Sequence, residues 1–319
     1  IRPLDVVNTA RDQSVAAYKS SPTYMFYETL KGFNFRTLAS LYNEKPFMEY
    51  TTYEKGALAG KNGVIDIIKD LNNVLGYEIV ANNDTLLNYR TGMYASELIK
   101  HDIRNKSISR KVYNYHDNFE NEDHIVSGVT KGKTEYPLAS SVALNPRGQR
   151  VSDFPARTYV VPTSLNSRSD GQHATPDNTY PYEAYGAEKW LQRRNSQMTQ
   201  IQSGLSINII CHGNTYVNAG QKVILNIPYT AALKTADKEI NDRFYKGPFL
   251  IKNIRHDFEF DKSPQKHKMI MSLVKDSIEE PLDSPPDNYE PFAQGNVTII
   301  KQKEDYDGVE VKTVPPGIF

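Results

Sequence analysis

Cysteine is almost absent from this chain: its 319 residues contain a single one, Cys211. One cysteine excludes an intramolecular disulfide, and it also excludes the paired cysteines of a structural zinc site. Such crosslinks are not needed, because a folded chain of about 300 residues buries about three quarters of the surface that it exposes when unfolded. We therefore expect an ordinary apolar core, in roughly two domains.

The chain also lacks an excess of charge of either sign. Lys plus Arg and Asp plus Glu each number 38, so the formal net charge is zero. Dedicated nucleic-acid-binding proteins take much of their affinity from clustered cations, so this balance argues against that class. No apolar run approaches the roughly 18 residues that indicate a membrane span. Since the sequence starts at Ile1 rather than Met, we expect an upstream segment, and the sequence does not decide whether a targeting signal exists.

Residues typical of catalytic sites occur without the spacing that catalysis needs. Cys211 and His212 are neighbours in an alternating segment, so their side chains point to opposite faces of a strand and do not form a nucleophilic pair. Residues 56–61 (GALAGK) have three residues between the glycines, not the four of a phosphate-binding loop, and no Ser or Thr follows the lysine. The acidic segment 116–124 is typical of a solvated loop. We predict no enzyme activity, cofactor or metal site.

Strand patterns outnumber helical ones along the chain. Apolar residues at helical spacing predict helices over residues 5–18, 62–75 and 183–202, the last with an apolar face of Ala187, Trp190, Leu191, Met198 and Ile201. Alternation and turn signals predict strands over residues 24–28, 33–37, 77–80, 94–104, 107–115, 205–211, 223–227, 244–260, 267–274 and 297–302. The predicted fold class is mainly β with some α, of the α+β type.

The most regular alternation flanks a polar loop that runs from Gly213 to Gly220. It places one set of apolar side chains on a single strand face: Leu205, Ile207, Ile209 and Cys211 before the loop, Val223, Leu225 and Ile227 after it, and Met269, Met271 and Leu273 in the later hairpin. We predict that these residues pack in a core, where Cys211 acts as a small apolar side chain.

Beyond residue 278 the sequence becomes rich in proline and holds one apparently isolated strand, residues 297–302. A lone strand does not bury its apolar residues unaided. We therefore expect Val297, Ile299 and Ile300 to dock on a neighbouring protein by adding to an exposed sheet edge.

The order of these segments resembles that of the tail hub proteins of contractile injection machines. That group includes the T-even phage baseplate hub, the late-control tail proteins of other phages and the base of VgrG spikes. Three stretches carry the resemblance: residues 26–42 (FYETLKGFNFRTLASLY), 213–225 (GNTYVNAGQKVIL) and 244–276. The second keeps the glycine and V-x-L of the pattern G-x-P-x-L-x-P-G-x-x-V-x-L, but departs from it at Thr215 and just before Gly220. The large insertion makes the T-even type the most similar.

The resemblance implies a division of the chain into four parts. These are a second hub domain of α/β type, incomplete at its N-terminus (1–80), a small tube-like antiparallel β-barrel (81–115 with 205–276), a loop-rich insertion ending in a helix (116–204) and an extended C-terminal tail (277–319). A first tube-like domain would then lie upstream.

The resemblance also implies a function, that of a structural hub in a phage baseplate. Three copies would form a ring, built by the strands and turns around residues 205–227 and 269–273, that joins the sixfold tail tube to the threefold central spike. The implied partners are the spike, the tail tube or its initiator protein and the surrounding baseplate proteins. DNA would pass through a lumen of hydroxyl, amide and acidic side chains without specific binding. The implied location is the tail baseplate of the virion, after assembly in the host cytoplasm.

Two other functions stay open at this point. The Pro- and Tyr-rich residues 130–185 are compatible with a carbohydrate- or receptor-binding tail module, which would bind glycans there. A cell-wall hydrolase would need two carboxyl groups across a cleft, and the acidic segment 116–124 only weakly permits that reading.

Overall fold

The structure, a computed structural model, describes residues 2–16, 21–52, 67–81, 84–102, 106–127, 153–162, 190–228, 241–261, 266–278, 297–302 and 309–314. Its helices are α1 (Pro3–Gln13), α2 (Leu38–Tyr42), α3 (Ile67–Leu71), α4 (Thr85–Arg90), α5 (Tyr115–Asn118), a 3-10 turn (Phe119–Asn121) and α6 (Leu191–Ser203). Its strands are β1 (Tyr24–Thr29), β2 (Gly32–Thr37), β3 (Glu49–Thr51), β4 (Val74–Ala81), β5 (Ala95–Asp102), β6 (Ser107–Asn114), β7 (Arg157–Pro162), β8 (Leu205–His212), β9 (Lys222–Pro228), β10 (Asn241–Glu259), β11 (Lys266–Lys275), β12 (Val297–Gln302) and β13 (Val309–Val314). Strands predominate, which confirms the predicted fold class.

A six-stranded sheet that curls into a half-barrel holds the main core. Its strand order is β3-β9-β10-β11-β8-β4, and all neighbours are antiparallel except β3 and β9. Every second side chain of β8, from Leu205 to Cys211, is buried on the inner face. Apolar residues predicted for β9 and β11 are buried on the same core. Alternation along the sequence was sufficient to find this face.

The six-stranded sheet does not follow the domain limit placed at residue 80. Its edge strands β3 and β4 come before that limit, whereas β8 to β11 come after residue 204. Residues 95–102 and 107–114, predicted to belong to the barrel, form β5 and β6 of a separate sheet of order β6-β5-β7, in which β5 and β7 are parallel. Alternation identifies a strand but not its neighbours, so the sequence assigned these strands to the wrong sheet.

The predicted aromatic hairpin is present as β1 and β2. Tyr24 stacks on Phe35 with ring centroids 4.9 Å apart, and Phe26 stacks on Phe33 at 5.7 Å. After β2, the side chain of Thr37 accepts a hydrogen bond from the backbone N–H of Ser40 and so caps α2. The hairpin and α2 pack against α6 and the end of β11 in a second apolar cluster.

Helix α6 joins the two sheets, and its buried face is polar rather than apolar. The prediction gave this helix an apolar face that includes Trp190, Leu191 and Met198, but these three side chains are only half-buried. Its buried residues are Gln192, Ser196, Thr199, Gln200, Ile201 and Ser203. The predicted apolar face was therefore wrong, apart from Ile201, because hydrogen bonds rather than apolar contacts hold the helix. Residues 183–189, including Ala187, lie outside the described residues.

The expectations for α3 and β12 also need correction. The helix predicted over residues 62–75 ends at Leu71, and Val74 already belongs to β4, where its neighbour is Cys211. Residues 62–66 lie outside the described part. Strand β12 has the predicted bounds but does not stand alone, since it pairs with β13 in antiparallel register. The alternation of β13, VEVKTV, was overlooked.

Candidate functional site

The edge of the six-stranded sheet at β4 leaves part of the apolar inner face uncovered. Tyr77 and Ile79 stand opposite Ile209 and Ile207, so they continue the core face by one strand. Ile207 and Ile209 are fully buried, yet Tyr77 is 39% and Ile79 49% exposed. In the described residues β4 pairs with β8 and with no strand along its other side. The two edges of the sheet touch just before β4, where Thr51 of β3 and Asn73 form an isolated bridge. The apolar core face is therefore partly exposed to solvent at this edge.

Apart from the buried Val74, large apolar side chains are exposed along the segment from α3 to β4. We call these residues the edge patch: Ile67, Ile68, Leu71, Leu75, Tyr77, Ile79 and Val80. Edge strands of soluble proteins usually carry lysine, proline or inward charges that discourage pairing. Strand β4 (VLGYEIVA) has neither lysine nor proline and a single charge, Glu78. An exposed apolar edge of this kind marks an interaction surface.

The opposite edge of the sheet has a different character. Strand β3 is only three residues long and lies parallel to β9. Its central Tyr50 is buried, while Glu49 accepts a hydrogen bond of 2.5 Å from the side chain of Asn226. This edge is short and polar, so the edge patch at β4 is the stronger candidate for docking.

The predicted turn between Gly213 and Gly220 is an anchoring point for other parts of the fold. A side chain at Gly213 would overlap the ring of His267. Gly220 has a φ of +83°, and a Cβ there would meet Cε2 of Tyr27 at 2.8 Å. The N–H of Gly220 also donates to the carbonyl of Ile251 at 2.8 Å. Both glycines are thus required by their neighbours, which sequence alone did not indicate.

Beside Gly220 lies an apolar cleft of about 240 Å³ between the β1–β2 hairpin, α6 and the sheet. Its lining includes Met25, Tyr27, Leu41, Ile201, Leu250 and Val274. Such a lining suits an apolar side chain rather than a charged ligand.

A buried set of hydrogen bonds, which we call the polar seam, ties residues 119–125 to α6 and to the end of β11. It consists of Glu122, His124, Arg193, Gln200 and Asp276. His124 Nδ1 lies 3.0 Å from Asp276 Oδ2, and the N–H of Ile125 donates to Asp276 Oδ1 at 3.0 Å. Arg193 contacts Glu122 at 2.5 and 2.7 Å, and Gln200 donates to the Asp276 carbonyl at 2.6 Å.

The acidic segment 116–124 was predicted to be a solvated loop, and this is wrong for the two of its residues that belong to the polar seam. The side chains of Glu122 and His124 are only 3% and 4% exposed. Burial lowers the pKa of His124, but the hydrogen bond and charge of Asp276 outweigh it, so that this pKa is raised overall. Asp276 and Arg193, the partners of His124 and Glu122, are distant in sequence, so no local sequence pattern predicts these contacts.

The polar seam is arranged for structure rather than for acid–base chemistry. Both ring nitrogens of His124 are engaged, one with Asp276 and the other with the Phe119 carbonyl at 2.8 Å. Burial raises the pKa of Cys211 to about 12, which leaves it a thiol at neutral pH. No group of three His, Cys, Asp or Glu that could hold a metal occurs in the part of the chain that the structure describes. Residues 56–61 lie outside that part.

The structure brings the predicted core residues together. The core residues of β8, β9 and β11 share one apolar cluster with Val217 of the turn. Val297, Ile299 and Ile300 lie on β12, in a hairpin with β13, and their docking on a partner stays a prediction. Among the described helices, none is both long and apolar enough to cross a membrane.

Comparison with known proteins adds no relative to this picture. Neither a protein-family model nor a curated protein sequence matches the chain. The function therefore has to be argued from the sequence pattern and the geometry.

Proposed function

We propose that the protein is a structural hub of a contractile phage tail baseplate, a non-enzymatic homotrimer that joins the sixfold tail tube to the threefold spike. The observation that carries the proposal is the open β4 edge of the curled sheet. The order of the sequence segments, which resembles that of tail hub proteins, supports it as well.

The open edge favours closure by another protein chain. A half-barrel whose inner apolar face ends at Tyr77 and Ile79 gains stability when a neighbour covers that face. Full burial of a side chain such as Ile79 is worth about 1.5–3 kcal/mol. Closed rings remove exposed strand edges altogether. We therefore assign the subunit contact of the proposed ring to the edge patch.

The face of the sheet opposite the core fits a conduit that DNA crosses without being held. There Asn208 of β8 and Ser272 of β11 are hydrogen-bonded at 2.6 Å, and Ser206 lies on the same face. The face also carries the apolar side chains of Ile210 and Ile270 and the charged Lys268. Amide and hydroxyl groups do not neutralise phosphates, and a zero formal net charge avoids the cation clusters on which DNA affinity depends. In this proposal the spike and tube proteins bind at the two ends of the ring.

The proposal is tested by the absolute mass of the full chain in solution, measured by light scattering after size exclusion. We expect a trimer, and we expect Ile79→Asp to shift it to monomer by placing a charge in the subunit contact. The matched control is Ile108→Asp, at an exposed position of β6 outside the edge patch, which should leave the trimer intact.

A monomer that persists at high concentration would overturn the self-assembled ring. The carbohydrate- or receptor-binding alternative would then be the next to test, by glycan-binding assays on the full chain. Most of its proposed site, residues 130–152 and 163–185, lies outside the described residues, so it stays a prediction.

A further inference from the structure

Two histidines face each other near the end of the β10–β11 hairpin. In the register of the two strands, His256 lies opposite Met269 and Phe258 lies opposite His267. The two histidines are thus diagonal neighbours on the face that carries Met269, and both side chains are half-buried. His256 Nδ1 and His267 Nε2 are 3.0 Å apart.

Aromatic and backbone contacts fix the orientation of these rings. Phe258 stacks on His267 with ring centroids 4.1 Å apart and planes 15° from parallel. The backbone of Gly213 lies so close to the same ring that a Cβ there would overlap it. A ligand pair held in this way needs little rearrangement to bind.

We propose that His256 and His267 form a binding site for a divalent first-row transition metal, with Cu²⁺ and Ni²⁺ as its best-fitting ions. Imidazole nitrogens are preferred ligands of these metals. Two nitrogens bound at 2.0–2.1 Å in adjacent square-planar positions stand about 2.9 Å apart, whereas tetrahedral zinc would separate them by about 3.3 Å. The two nitrogens, 3.0 Å apart as hydrogen-bonded partners, reach either spacing by a shift of a few tenths of an ångström. Cu²⁺ and Ni²⁺ are preferred because they stand highest in the affinity order of divalent first-row metals.

Binding requires only a shift of tautomer in the pair. With both rings neutral, one N–H donates to the other ring across the 3.0 Å gap. Whichever ring donates, its proton transfers to the outer nitrogen of the same ring, and both facing lone pairs become free for the metal. No net proton is released.

Water completes the coordination, because two protein ligands converge here among the described residues. The nearby Asp257 pairs with Arg255 at 2.8 Å, and Glu259 lies 3.9 Å from Lys268. Within the described residues no third His, Cys, Asp or Glu joins the pair. The metal would act as a clamp between β10 and β11, and this inference is independent of the hub function.

The first test is calorimetric titration of the untagged full chain with Ni²⁺, with Mg²⁺ as the negative control ion. We expect one Ni²⁺ site per chain. Loss of an outer-shell partner alone typically costs 10–100-fold in metal affinity, so removing a ligand by His256→Asn or His267→Asn should cost at least about tenfold. The matched control is His212→Asn, on the neighbouring strand β8 and the opposite sheet face, which should change nothing.

The second test separates loss of the site from loss of the fold. His256→Asn keeps an amide that hydrogen-bonds His267, and its thermal unfolding without metal should match that of the wild type. Electron paramagnetic resonance with one equivalent of Cu²⁺ should detect two imidazole nitrogens in the wild type and fewer in the variant. Equal Ni²⁺ affinity in the wild type, His256→Asn and His267→Asn would overturn the proposal. A loss of Ni²⁺ binding in the control His212→Asn would overturn it as well.

Discussion

The curled sheet and the region around α6 are held together by opposite kinds of contact. The inner face of the sheet is an apolar cluster that runs from Leu205 of β8 to Leu273 of β11. The buried face of α6 is mainly hydroxyl and amide, with Gln192 donating to the Ser96 carbonyl at 2.8 Å and Ser196 to the Met93 carbonyl at 2.8 Å. Apolar contact is non-directional, whereas a buried hydrogen bond requires one geometry. The sheet should therefore tolerate changes of shape that the polar seam does not.

The largest expected effect is that of Asp276→Asn in the polar seam. The change is isosteric, but His124, the Ile125 N–H and Ser277 all point at the carboxylate. An amide removes the charge and turns an N–H towards a donor. We expect a loss of about 3 kcal/mol in unfolding free energy, measured with urea. Asp257→Asn, which affects only the exposed pair with Arg255, should cost less than about 1 kcal/mol. Equal losses would contradict the role given to the seam.

A smaller effect is expected of Gly220→Ala, where the sheet meets the β1–β2 hairpin. The alanine combines a φ of +83° with overlap on the Tyr27 ring. Gly32→Ala is the matched control, since it has a φ of +118° but no atom within 4 Å of the new Cβ. Backbone strain costs of order 1–3 kcal/mol in either variant. The amount by which Gly220→Ala loses more unfolding free energy than Gly32→Ala, measured with urea, is the cost of overlap with Tyr27. Equal losses would show that the hairpin moves to accommodate the new methyl group without cost.

The apolar core should respond more mildly to an isosteric change. Ile207 is fully buried among apolar side chains of the sheet. We expect Ile207→Val to cost about 0.5–1.5 kcal/mol. Its urea midpoint should therefore lie between those of the wild type and Asp276→Asn. If Ile207→Val lost as much unfolding free energy as Asp276→Asn, the sheet core and the polar seam would not differ in their tolerance of isosteric changes.

The smallest effect is a pH dependence that belongs to the seam alone. The folded pKa of His124 is raised, through Asp276 and against the opposing effect of burial. Its protonated form therefore stabilises the fold fully below the unfolded pKa of about 6.5, and this stabilisation is lost as pH rises through the folded value. Wild type should be less stable at pH 8.5 than at pH 6 by a margin that His124→Gln reduces. An unchanged margin in urea unfolding would show that the pKa of His124 does not differ between the folded and unfolded states.

The same contrast explains which parts of the structure could be read from the sequence. Alternation is a local signal, and it located the inner face of β8 and placed Cys211 in the core. The buried face of α6 carries no apolar pattern, because its contacts are specific pairs such as Gln192 with Ser96. Which strands become neighbours is also non-local, so the sheet membership of β4 and β5 was missed.

The candidate site was predicted only in outline. Residues 77–80 were expected to form a strand, but their position at an open edge depends on the pairing of β4 with β8. The turn glycines were identified as a pair, whereas the rings of Tyr27 and His267 that require them come from other strands. A helix was expected to extend through Val74, where sheet pairing with Cys211 overrode the helical spacing.

Strand β11 lies in the middle of the six-stranded sheet but is made last among its strands. Before β11 leaves the ribosome, β4 can pair only with β8, and β3 only with the β9–β10 pair. The nascent chain therefore carries two half-sheets with apolar faces. In the described residues the isolated bridge between Thr51 and Asn73 links them, but β11 does not yet join them. Partly built sheets of this kind are prone to aggregate. Chaperone protection would matter most during synthesis of the short stretch that ends at Lys275.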